Sequence, residues 1–79
     1  MSQTDQPLPG YVVLMTTPSV GGGAPMLQGF FVVAQDEEDA CARVVQFQGA
    51  TDVELRVVKR LSENTVRALN LRAGEVRYI

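Results

Sequence analysis

Four groups of residues in this chain have the types, and in part the spacing, that chemistry requires. The first is Gly21-Gly22-Gly23. A glycine-rich loop cradles phosphate when it leads from a strand into a helix N-terminus, where free backbone N–H groups and the helix dipole face the anion. Here an apolar, β-branched stretch follows, and neither a G-x-G-x-x-G nor a GK[ST] signature is present. The triplet therefore reads first as a hairpin loop, and second as a lid or contact over a ligand. The next group is the acidic run Asp36-Glu37-Glu38-Asp39. Carboxylates bind hard cations when a defined loop or several segments converge on one point. At the start of a helix the same residues are explained by capping and by the dipole. No metal is expected.

Cys41 and a set of basic residues complete the candidates. A catalytic thiol needs a base, and the chain has no histidine. Neighbouring carboxylates also disfavour the thiolate. Cys41 thus reads as a small buried hydrophobe. Arg56, Arg60 and Arg77, with Lys59, alternate with Glu54 and Glu75 on segments that read as strands. If those two strands were neighbours, Arg56 and Arg77 would form an anion site. Cross-strand pairing with the glutamates explains the pattern without a ligand.

These candidates sit in a chain of 79 residues, 46% hydrophobic, with seven basic and nine acidic side chains. The length holds one domain. The net charge of −2 offers no cationic surface for nucleic acid. One cysteine permits no intrachain disulfide, and without histidine a structural zinc site lacks its ligands. The apolar runs are strand-sized, far below the ~20 residues that cross a membrane. A lone thiol and a polar N-terminus fit the cytoplasm. No enzyme activity and no cofactor are expected.

The elements that must position these groups follow from periodicity. Residues 1–9 read as a disordered leader and residues 10–79 as the domain. Tyr11 to Thr16 is a strand, apolar on both faces. Pro18 to Leu27 is a loop. Gln28 to Gln35 is a second strand, with Phe30, Val32 and Ala34 on one face and Phe31 and Val33 on the other. Asp36 caps a helix whose buried stripe is Ala40, Cys41, Val44, Val45 and Phe47, and Gly49 ends it. Val53 to Arg60 is a third strand, with Val53, Leu55 and Val57 inward and Glu54, Arg56, Val58 and Arg60 outward. Ser62 caps a short second helix, with Leu61 and Val66 as a hydrophobic staple and Asn70 at its end. Glu75 to Ile79 is the last strand, with Val76 and Tyr78 inward.

The order is thus β-β-α-β-α-β. It predicts a small α+β or α/β two-layer sandwich: a four-stranded mixed sheet with both helices on one face. The direction of the last strand is left open, because the second helix is short for a full crossover. Two helices on one face leave the other face half apolar, which is unusual on a monomer. The expected remedy is a homodimer with sheets packed face to face, or another protein partner. Val12, Leu14, Phe31 and Val33, or their opposite-face neighbours, would form the interface. The competing expectation is that the glycine loop or the leader folds over the patch. The functional reading is a small non-enzymatic interaction module. Its alternative is a small-ligand or anion-binding regulatory domain that uses Gly21, Gly22, Gly23, Arg56 and Arg77.

Overall fold

The structure is a computed structural model that describes residues 8–18, 21–49 and 52–79. Most of the expected leader, residues 1–7, lies outside the described residues. Its last two residues are half-buried, and the Pro9 carbonyl accepts the Ala34 N–H at 3.1 Å.

The elements run β1 (Gly10–Thr17), β2 (Met26–Val33), α1 (Glu37–Gln48), β3 (Glu54–Leu61), α2 (Glu63–Ala68) and β4 (Val76–Tyr78). This is the order read from the sequence. β2 starts two residues before the expected Gln28, because the β1–β2 hairpin stays in register out to Thr17 opposite Met26.

The sheet order is β3-β1-β2-β4, and every neighbouring pair is antiparallel. The expected mixed sheet is therefore corrected to an antiparallel one, in a small α+β fold. The reason lies in what α1 connects. It joins β2 to β3, which do run in the same direction, but β1 lies between them and pairs antiparallel with both. α2 spans six residues, about 9 Å at 1.5 Å per residue, too short to return the chain along a strand. β4 accordingly rises on the far edge, antiparallel to β2.

One face of the sheet carries the main core. Tyr11, Val13 and Met15 of β1 and Phe30, Val32 and Ala34 at β2 are buried against Ala40 and Val44 of α1. Cys41, Leu55, Val57 and Val76 pack around them. α1 is fixed at both ends: Asp36 accepts the Asp39 N–H at 2.8 Å, and Gly49, in the left-handed region, donates its N–H to the Val45 carbonyl at 2.7 Å. The expected buried stripe is narrower than predicted. Val45 and Phe47 are exposed, because β4 is only three residues long and offers that flank of α1 little beyond Tyr78. Phe47, Tyr78 and Phe30 form a trio with ring centroids 5.2 to 6.2 Å apart.

The two helices do not share a face, which corrects the second part of the predicted architecture. Strand alternation turns Gly10 away from the α1 core, toward the side of Val12 and Leu14. A Cβ on Gly10 would stand 2.6 Å from Val66 Cγ2 of α2 and 3.1 Å from Leu61 Cδ1. α2 therefore lies across one end of the opposite face. A bulge in β3 makes this arrangement work. Val12 opposes Lys59 but Val13 opposes Val57, so Val58 is the extra residue. Glu54 and Arg56 point away from the α1 core as expected, which is the side that α2 takes. Beyond the bulge the alternation switches, bringing Lys59 and Leu61, rather than Arg60, to that side. Leu61 can then meet Val66 across the cap formed by Ser62.

Gly10 is the tightest point of this contact. Gly10→Ala must displace Val66 or Leu61, and overpacking of this kind costs about 1–3 kcal/mol. Urea unfolding of the variant should show that loss, with the m-value unchanged. An unaltered midpoint would mean that α2 does not rest on β1.

Candidate functional site

The surface with the least internal explanation is the sheet face opposite α1. Pairing register defines its rows. Gly10 lies between Leu61 and Val33; Lys59, Val12, Phe31 and Arg77 form the next row; Arg56, Leu14 and Gly29 the third; Glu54, Thr16 and Leu27 the last. α2 covers the first row, and Leu61 and Val33 are buried there, the latter only 2% exposed. The remaining rows have no helix over them. Val12, Leu14 and Phe31 are half-buried, while Leu27 and Ile79 are each 63% exposed. Ile79 leans over Gly29, whose Cβ position lies 2.8 Å from Ile79 Cδ1. Toward β3 the face dips into a concavity of about 490 Å³ lined by Leu14, Thr16, Leu27, Glu54, Leu55 and Arg56.

Four residues were expected at an interface, and the structure brings all four onto this face. Val33 must be withdrawn as a contact residue, since it is already buried within the single chain. Leu27 and Ile79 join the surface instead. Leu27 was missed because it was read as loop; its signal was the continuation of apolar character back from Phe30. Lys59 was missed because the bulge was. Plain alternation from Val57 would have turned this lysine toward the core, and a charge at a core position is the mark of a register shift.

The anion site fares differently. β3 and β4 are the two edges of the sheet, so Arg56 and Arg77 stand three strand spacings apart, about 14 Å across the sheet at ~4.8 Å each, and in different rows. The condition for a joint site, adjacent strands, is not met. Arg77 is also engaged within the fold. Its Nη1 donates to the Leu69 carbonyl at 2.7 Å, and its Nη2 to Glu75 Oε2 at 2.7 Å. Leu69 closes α2 in a Schellman turn, with Asn70 left-handed and the Leu71 N–H on the Val66 carbonyl. The guanidinium thus satisfies the negative end of α2 and ties it to β4. Gly21 and Gly22, both with positive φ, lie at the far hairpin end, exposed and remote from Arg77. The described part of the loop, residues 21–25, is exposed. Pro18 and Pro25 flank the loop at the ends of the two strands.

The acidic run is absorbed locally. Asp36 caps α1, and Asp39 accepts from the Gln35 N–H and from Arg43 Nε, each at 3.1 Å. Those bonds, the backbone one first, hold the Asp39 carboxyl below its ordinary range. Burial, aided by the Glu37 charge, pushes the Cys41 thiol up, away from the reactive thiolate. Among the described residues no helix is long and apolar enough to cross a membrane. Comparison of the chain with protein-family models, with curated proteins and with solved structures returned no significant match.

Glu75 generates a pH dependence. Its Oε1 accepts the Arg72 N–H at 2.8 Å and its Oε2 binds Arg77, which holds the carboxyl below its ordinary value of 4.5. The unfolded chain then takes up the proton more readily than the folded one. The stabilisation is complete above about 4.5 and drains away as pH falls through the lowered value. Glu75→Gln should be less stable than the parent at neutral pH and should lose less on acidification. Denaturation midpoints measured across that window check this; parallel curves for the two proteins would contradict it.

Proposed function

We propose that this chain is a small non-enzymatic interaction module that acts through protein–protein contacts as a homodimer, in the cytoplasm. The observation that carries the reading is the uncovered face built by Val12, Leu14, Phe31, Leu27 and Ile79. The central strands are apolar on both sides, as strands are when both faces are covered. The monomer is then a two-layer sandwich of sheet and α1, and a second sheet supplies the missing layer at the usual ~10 Å spacing. Closed symmetric pairs are the commonest way a chain covers such a patch with no other protein. The lone thiol supports the compartment.

The absence of an activated group among the described residues of this face is consistent with binding rather than turnover. Its charged members are Glu54, Arg56, Lys59 and Arg77; Arg77 is held by Glu75 and the Leu69 carbonyl, and no salt bridge among the described residues engages the other three. The ligand-binding alternative retains one supporting observation, the concavity beside Arg56 with its apolar floor of Leu14 and Leu27. A small amphipathic anion fits that description. A thermal-shift panel of carboxylates tests it, with Arg56→Ala as the control that must abolish any shift.

Phe31 stands near the centre of the exposed rows and Leu14 beside the concavity. Phe31→Glu and Leu14→Glu should each produce a folded monomer, with self-association weakened at least thirtyfold, about 2 kcal/mol for an aromatic or apolar anchor. Sedimentation velocity with circular dichroism on the same samples reads both properties. Variants that remain as associated as the parent would remove this face from the interface.

A further inference from the structure

The face itself restricts how a second copy can dock, and this inference rests on the homodimer reading above. α2 stands on one end of the face as a shoulder about 10 Å thick, the same thickness as the gap between packed sheets. Superposing two faces with their strands parallel would set α2 against α2 and force the sheets apart. It would also bring β3 over the partner's β4, with Lys59 opposite the partner's Arg77, since both lie in the row of Val12 and Phe31. Turning one copy end for end removes both conflicts. Each α2 then fills the space beside the other copy's hairpin end, near Thr17 and Met26, and β3 lies over β3.

The charges on β3 fit this second arrangement. On the open face the strand reads Glu54, Arg56, Lys59 from the hairpin end toward α2. No salt bridge joins any of the three to another described residue. Reversed about the row of Leu14, the strip places Glu54 over the partner's Lys59 twice and leaves the two Arg56 side chains beside each other on the axis. Leu14 falls near the axis, and Leu27 comes over the region of Phe31.

The geometry points to a second copy of this chain as the occupant, docked face to face with antiparallel strands, so that Glu54 of each copy faces Lys59 of the other and Arg56 lies on the axis. The contact is isologous, and its two charge clusters are equivalent by symmetry.

Charge reversal in two complementary variants tests the arrangement. Glu54→Arg makes β3 uniformly basic, and Arg56→Glu with Lys59→Glu makes it uniformly acidic; all three positions are exposed. Each variant alone should dimerise at least about tenfold more weakly than the parent, because like charges now meet at both clusters. An equimolar mixture should regain dimers, since both clusters of the heterodimer are then opposite in sign. Sedimentation equilibrium on the parent, each variant and the mixture reads all of this. A parent that is monomeric at every concentration overturns the homodimer reading itself. A dimeric parent whose variants dimerise unchanged, or whose mixture gains nothing, overturns the antiparallel docking and leaves the homodimer reading standing.

Discussion

The structure depends on one imbalance: its two central strands are apolar on both sides, and it has one full-length helix with which to cover them. β1 and β2 form a hairpin that pairs over eight positions and lies in the middle of the sheet. α1, twelve residues long, seals one side through Ala40 and Val44 against Val13, Phe30 and Val32. Everything on the other side responds to what remains. α2 is too short to seal a face and instead closes one end of it. β4 contributes three residues and a guanidinium that holds α2 in place.

Local devices in β3 and β4 make that partial closure stable. The bulge at Val58 turns Leu61 toward Val66 while leaving Glu54 and Arg56 on the same side, so a single edge strand serves two purposes. It also disrupts the regular ladder on an edge that would otherwise offer eight residues of free backbone to any passing strand. Arg77 joins the Schellman turn after α2 to the Glu75 carboxylate, and Glu75 in turn holds the Arg72 N–H. Acid weakens both of Glu75's linkages together as the carboxylate takes up a proton.

Much of this was legible from residue types. The caps at Asp36 and Ser62, the stop at Gly49, the staple of Leu61 with Val66 and the inward placement of Val76 and Tyr78 follow from local chemistry, and all appear in the structure. The element order follows from the same signals. Strand neighbours were not legible, because nothing local distinguishes a crossover that skips β1 from one that does not. That single unknown left the Arg56 and Arg77 site conditional on adjacent strands and gave a mixed sheet. The side taken by α2 was hidden for a related reason: it depends on the bulge, whose one trace in the sequence is a lysine where alternation requires an apolar residue. Of the open face, Val12, Leu14 and Phe31 were readable as the second apolar side of two strands. Val33 was not separable from them, since nothing local marks it as buried.

The central claim is that protein covers the open face in solution. Leu27 and Ile79 report on it directly, because each is 63% exposed in the single chain while Val13 and Val32 are fully buried. Methyl NMR with a water-soluble paramagnetic probe distinguishes the cases. Resonances of Leu27, Ile79 and Leu14 as protected as those of Val13 and Val32 would agree with the account. Strong broadening of the Leu27 and Ile79 methyls at high protein concentration, with the core methyls untouched, would contradict it.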